Sequence, residues 1–95
     1  MGLFVLTCID RPSALALRMS VREDHLAFVR AKGAMVKLGG PFLDGAGEMA
    51  GSMLIIEAHD MAAAEAFAGE DPYGRAGLFE SVTIRPYRVT VGALT

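Results

Sequence analysis

Two short motifs hold most of the chemistry available to this chain. Arg22-Glu23-Asp24-His25 falls in a predicted helix and Asp71-Pro72-Tyr73 in a predicted turn, with His25 and Asp71 46 positions apart. Brought together, they would supply an imidazole, a carboxylate to orient it and a guanidinium to hold an anionic group. That set is enough to move a proton on a small acidic substrate.

Each residue also has a plainer reading. His25 lies one turn after Val21 and one turn before Phe28 and Val29. It therefore sits on or beside a buried stripe, where a structural, hydrogen-bonded histidine fits as well as a catalytic one. Arg22 shares that side of the helix, and taken alone it reads as a solvated residue pairing with Glu23 or Glu65. Asp71 precedes a proline, which holds it extended, and Asp-Pro by itself is a turn or a helix cap. Tyr73 either offers its hydroxyl to a ligand or fills the edge of the core.

The remaining candidates are weaker. Ser52 stands at the start of a predicted strand beside a glycine-rich loop, and a nucleophile there would need a base within hydrogen-bond reach. Gly45, Gly47 and Gly51 are spaced one residue too long for the dinucleotide pattern, and no Gly-Lys-Ser/Thr follows, so nucleotide binding is not expected. Glu57, His59 and Asp60 have the composition of a metal cluster, but alternate side chains at a strand end point apart. A polar strand end with Asp60 capping the next helix is expected there, with no metal and no cofactor.

The elements that must position these residues follow from the apolar pattern. Residues 3–9 form a strand apolar on both faces, so both faces should be covered. Pro12 suits the first turn of a short helix reaching residue 19. Ser20-Val21-Arg22-Glu23 reads as a capping box that opens a second helix, stopped at Gly33. A strand over 34–38, the pair Gly39-Gly40 with Pro41, a hairpin loop over 42–50 and a strand over 51–58 come next. Asp60 caps a helix in which Met61, Ala64, Phe67 and Ala68 share a face and which ends near Gly69. A turn at 71–74, a single helical turn to Phe79 and a strand over 81–89 close the chain, with Pro86 marking an edge or a bulge. The order βαββαβ predicts an α+β ferredoxin-like sandwich with a four-stranded antiparallel sheet. Two helices cover one sheet face, and nothing left in the chain covers the other. That is the physical case for a dimer packed sheet to sheet.

Composition bounds the rest. A chain of 95 residues forms one domain, residues 1–95. It is 53% hydrophobic with a mean hydropathy of +0.39, yet no apolar run is long enough to cross a bilayer. The surplus apolar surface points to self-association, as a homodimer or higher oligomer, and not to a membrane. The net charge is −2 and the basic residues are scattered, which argues against nucleic acid. Cys8 is the one cysteine, so no intrachain disulfide can form, and a buried spectator thiol is expected. No signal peptide is visible, and a reducing cytoplasm fits best.

Taken together, several segments resemble the YciI-like (YCII-related) family of small bacterial proteins. They are the opening strand, Arg18-Met19-Ser20-Val21-Arg22 leading to His25-Leu26, Gly40-Pro41, Gly51-Ser52, Asp71-Pro72-Tyr73 with Ala76-Gly77-Leu78-Phe79, and the closing strand from Val82 to Tyr87. The likeness covers nearly the whole chain and departs only in a slightly extended tail over 91–95. It implies a ferredoxin-like fold that dimerises, related to the dimeric α/β-barrel group that includes muconolactone isomerases. It also implies a His–Asp pair in a pocket, at positions matching His25 and Asp71. A few similar proteins act on chlorinated or hydroxylated aromatic breakdown products.

The expectation is a small cytoplasmic homodimeric enzyme of lyase or isomerase type, binding a small molecule. His25 would be the general acid/base and Asp71 its orienter. Arg22 would hold an anionic group, with Ser52, Tyr73 and the Gly40-Pro41 backbone shaping the pocket. The rival is a non-catalytic dimeric ligand-binding or accessory module in which His25 and Asp71 are a structural pair. A pair at the floor of an open pocket favours the enzyme, and a sealed pair favours the module.

Overall fold

A computed structural model describes residues 1–94. The chain runs through strand β1 (Gly2–Asp10), helix α1 (Leu15–Lys32), a 3₁₀ turn (Gly33–Met35), strands β2 (Val36–Leu43) and β3 (Met49–Ala58), helix α2 (Met61–Glu70), a single-turn helix α3 (Pro72–Arg75) and strand β4 (Phe79–Tyr87). The strands form one antiparallel sheet in the order β2-β3-β1-β4. The expected ferredoxin-like βαββαβ sandwich is therefore the observed fold. Of the expected tail extension, Thr95 lies outside the described residues.

Strand alternation decides which side chains meet the helices. On β1, Phe4, Leu6, Cys8 and Asp10 are buried beneath the helical layer, and their β3 neighbours Ile56, Leu54 and Ser52 lie on the same side. The core gathers Phe4, Leu6, Cys8, Leu54, Ile56 and Ala58 from the sheet with Ala64 and Phe67 from α2. Burying a side chain such as Phe67 is worth about 1.5–3 kcal/mol, and the Phe28 ring, 5.1 Å from it, joins α1 to this core. The opposite sheet face keeps Leu38, Phe42, Ile9 and Tyr87 exposed. Among the described residues no helix is long and apolar enough to cross a membrane.

Several local expectations are corrected. One uninterrupted helix replaces the two expected on either side of Ser20. Ser20 caps nothing; its hydroxyl donates to the Leu17 carbonyl, 2.8 Å away within the same helix. Such back-bonding lets a helix pass through serine, and buried Arg18 and His25 hold the helix down on both sides of it. Pro12 precedes the helix in a turn where Ser13 takes a left-handed φ of 56°, so Pro12 does not open α1.

Strand β2 is longer than expected and includes Gly39, Gly40 and Pro41, which pair with Leu54, Met53 and Ser52. Residues of low strand propensity are pulled in by a neighbour, and proline is tolerated because β2 is an edge strand. The hairpin loop shrinks accordingly. Asp44 Oδ1 accepts from the amides of Ala46 and Glu48, and Gly47 supplies the positive φ the turn requires. Ser52 consequently sits inside β3 and does not open it. Strand β4 begins at Phe79 and ends at Tyr87, earlier at both ends than expected, and Pro86 does lie on an edge strand.

Candidate active site

Residues 18–29 of α1 stand off part of the sheet. Between them lies a cavity of about 160 Å³. Its walls come from α1 (Arg18, Arg22, His25, Leu26, Val29), from β2 (Gly39, Gly40, Pro41) and β3 (Met49, Ser52, Leu54), and from Tyr73 on α3. A void of about 150 Å³ holds one benzene ring, so the space suits a single small ring or its equivalent.

The helix repeat explains the placement. Arg18, Arg22, His25 and Val29 recur at four- and three-residue steps, so they line one side of α1. This side is polar where most helices would be apolar, and it faces the cavity.

Asp71 is delivered from the far side of the site. It caps α3, accepting the Tyr73 amide at 2.9 Å through Oδ1, while Pro72 occupies the first helical position. The same oxygen lies 2.9 Å from His25 Nδ1. Asp71 is 3% exposed and His25 8%. An oxygen already accepting an amide proton acts as an acceptor toward its other neighbour too, so Nδ1 carries the hydrogen. In the neutral ring that leaves the lone pair on Nε2, the nitrogen a general base uses. No protein partner meets Nε2 among the described residues.

Tyr73 is the hinge of the site. Its ring stacks on His25 with centroids 4.1 Å apart and planes at 18°, and the Arg18 guanidinium carbon lies 4.5 Å from the same ring centre. Burial raises the Tyr73 hydroxyl above its ordinary pKa, although the charge of Arg18 pulls the other way. The hydroxyl therefore remains a neutral donor in ordinary buffers.

Arg18 is the residue whose role the motif reading missed. It is 2% exposed and forks onto Asp10, with Nε donating to Oδ2 at 2.8 Å and Nη2 to Oδ1 at 2.9 Å. Nη2 also donates to Ser52 Oγ at 2.9 Å. Burial opposes this charge, but the bond and charge of Asp10 outweigh it and hold the guanidinium more firmly protonated than usual. One signal was legible: Arg18 precedes His25 by seven residues, two helical turns, on the same side of the helix. Its partner was not legible, because Asp10 reads as the end of a strand.

Arg22 reaches the cavity from an exposed position and forms no ion pair with Glu23 or Glu65 among the described residues. Gly40 and Pro41 line the opposite wall. Behind Ser52, its β1 neighbour Cys8 is 2% exposed and does not line the cavity. Burial, followed by the charge of Asp71, pushes the Cys8 thiol up to about 12. Asp60 accepts the Ala63 amide and caps α2, as expected for the strand-end group.

The sheet and its helices make this one of the small ferredoxin-like α+β proteins, with a His–Asp contact beside an open cavity. The chain belongs to the YCII-related family, whose domain matches residues 2–88. It is 35% identical over 94 residues to the Protein YciI of Escherichia coli O6:H1, covering 90% of this chain and 96% of that one. Among solved structures it is similar to the 5-chloro-2-hydroxyhydroquinone dehydrochlorinase TftG of Burkholderia phenoliruptrix AC1100 in complex with 2,5-dihydroxybenzoquinone. That likeness has a TM-score of 0.86 at 32% identity over 90% of this chain and 93% of that one. An antibiotic biosynthesis monooxygenase shares the fold at 13% identity and a TM-score of 0.59, over 96% of this chain and all of that one.

Proposed function

We propose that this protein is a homodimeric acid/base enzyme of lyase or isomerase type acting on a small acidic or hydroxylated ring compound. The observation that supports this most is the His25–Asp71 contact at 2.9 Å, with Nε2 left free beneath an open cavity. In this reading Nε2 takes a proton from the substrate and returns it, while Asp71 fixes the tautomer and stabilises the imidazolium. Arg22 at the rim holds an anionic substituent, and Tyr73, Gly40, Pro41 and Ser52 shape the space around the ring. The similarity to a dehydrochlorinase supports the same reaction class. The open cavity favours this reading over that of a sealed structural pair. The exposed apolar sheet face, with Leu38, Phe42 and Ile9, is where the second copy docks.

The test uses the compounds that the similar dehydrochlorinase acts on or binds. A ligand at tenfold its Kd stabilises the fold by roughly 1.4 kcal/mol, which moves the Tm of a chain this size by about 6–11 °C. 2,5-Dihydroxybenzoquinone is expected to raise the Tm of the wild type and to leave that of His25→Asn nearly unmoved. Chloride release from 5-chloro-2-hydroxyhydroquinone is expected to fall about 10²–10⁴-fold in His25→Ala. Equal turnover by parent and variant would sink the proposal.

A further inference from the structure

The mechanism above supplies a base and leaves unanswered which group receives the negative charge that proton removal creates. We infer that the Ser52 hydroxyl, oriented by Arg18, is the hydrogen-bond donor for a substrate oxygen that becomes negative during the reaction. This inference rests on the acid/base reading of the same cavity and adds to it a catalytic residue, Ser52, and a positioning residue, Arg18.

The argument is one of hydrogen-bond accounting. A guanidinium carries donors and no acceptor, so in the 2.9 Å contact Arg18 Nη2 donates and Ser52 Oγ accepts. The hydroxyl hydrogen of Ser52 must then point elsewhere. Among the described residues it meets no protein acceptor, although Ser52 is 4% exposed and lines the cavity. A buried donor aimed into a cavity is satisfied only by what occupies that cavity. Accepting a bond from a cation also polarises the O–H and makes it a stronger donor.

The neighbours sharpen the assignment. Asp10 takes two of the Arg18 hydrogen bonds, so the fork cannot swing toward a ligand without breaking a buried ion pair. Arg18 is thus held in place to hold Ser52. The cross-strand thiol of Cys8 is out of the cavity and stays protonated, so it cannot take over. Gly39, which carries no Cβ, lets Leu54 lie against its backbone, and both residues line the cavity that Ser52 lines.

The chemistry balances with these groups alone. His25 Nε2 takes a C–H proton next to a carbonyl or a ring carbon bearing oxygen. The C–H electron pair moves into the conjugated system and places the charge on that oxygen, which Ser52 meets through its hydrogen without transferring it. Return of the proton from the imidazolium to another carbon completes an isomerisation. Alternatively the electron pair moves back and expels a leaving group as an anion, and the imidazolium gives up its proton to that anion or to water, which completes an elimination. Substrates are therefore compounds with an enolisable carbonyl or a phenolic oxygen placed to reach Ser52 while the acidic carbon faces His25.

The probe is 4-nitrophenol, whose absorbance reports how much of the bound molecule is ionised. Its ionised fraction is followed against pH in the wild type, Ser52→Ala, Ser52→Thr and His25→Asn. The wild type is expected to favour the bound anion by at least about tenfold over free solution, since hydrogen bonds to charged groups are the strong ones. Ser52→Ala should cut that preference down to the share that the Arg22 charge supplies, and Ser52→Thr should restore it. His25→Asn should bind nitrophenol more weakly and still favour the anion in the fraction that binds, because the stabiliser is not the base. Should Ser52→Ala fail to fold, the near-isosteric Ser52→Cys, a weak donor, takes its place and should lose the preference in the same way. An anion preference equal with and without the hydroxyl overturns the assignment, as does a wild type that binds no nitrophenolate in preference to nitrophenol. If chloride release still collapses in His25→Ala while Ser52 proves indifferent, the acid/base reading stands and only this inference falls.

Discussion

The Tyr73 ring lies against His25, 4.1 Å between centroids, while the Tyr73 amide donates to the same Asp71 oxygen that meets His25 Nδ1. One residue therefore fixes both the tilt of the imidazole and the position of its carboxylate partner. The two contacts separate in mutants. Tyr73→Phe keeps ring and amide, so Tm should hardly change and the base should survive. Tyr73→Ala removes a ring that is 1% exposed and should cost about 3–5 kcal/mol. Chemical denaturation of both variants checks this.

Asp71→Asn separates structure from chemistry. Asparagine still accepts the Tyr73 amide and caps α3, so stability should fall by less than about 1 kcal/mol. Its amide can turn a donor toward the histidine and favour the wrong tautomer, so turnover should drop about 10²–10⁴-fold. Asp71→Ala should lose activity and also about 0.5–2 kcal/mol of stability, because the cap goes with it. A comparison of denaturant midpoints and rates across the two variants decides.

Arg18→Met leaves Asp10 buried without its cation. Breaking a buried pair from one side costs about 3–5 kcal/mol, and Asp10 is 8% exposed, so the variant should be barely folded at room temperature. Adding Asp10→Leu should recover much of the loss. If single and double variants melt alike, the pair does not stabilise the fold.

Glycines at two positions are expected to behave differently. A Cβ at Gly39 would run into the flexible end of Leu54, a cavity wall. Gly39→Ala should therefore shrink the cavity and weaken binding of ring-sized ligands more than it lowers Tm. A Cβ at Gly51 would meet the backbone oxygen of Cys8 at 2.5 Å, and a strand backbone cannot step aside. Gly51→Ala should lower Tm by forcing β1 and β3 apart, at a cost of about 1–3 kcal/mol. Ligand titration beside thermal melts separates the two.

Cys8 should be silent to thiol reagents at pH 8 in the folded chain and reactive only after unfolding. Its folded pKa is raised from 9.0 to about 12 by burial and then by Asp71. The sign follows directly: the unfolded thiol ionises first, so the stability it contributes is complete below pH 9 and is lost as pH rises through about 12. Tyr73, raised by burial, works in the same direction. Melts between pH 8 and 11 should show falling Tm, and Cys8→Ser should change the slope.

Much of this was legible in the sequence. The order of elements followed from apolar periodicity, and His25 with Asp71 followed from two motifs and a family resemblance. The misses have physical reasons. Ser20 resembled a cap because local rules see a hydroxyl three residues before a glutamate; they do not see Arg18 and His25 buried on either side. Gly39-Gly40-Pro41 resembled a loop because propensity is local, whereas the β3 register that straightens them is not. Asp10 ended a strand on paper and anchors Arg18 in space, a pairing made only when helix and sheet are assembled.

The cavity beneath α1 occupies the place where a more ordinary sandwich would have core. Its polar helix side gains little from apolar burial, so α1 rests on Phe28, on α3 and on the Arg18–Asp10 and His25–Asp71 pairs for support. An empty copy should therefore open along α1 first, and limited proteolysis should cut between Leu15 and Arg30 before it touches α2. A bound ring fills the gap and closes that weak point. Occupancy then sets lifetime: copies that find ligand persist, and copies that do not are the first to be degraded. Cleavage rates that ignore ligand concentration would refute that link.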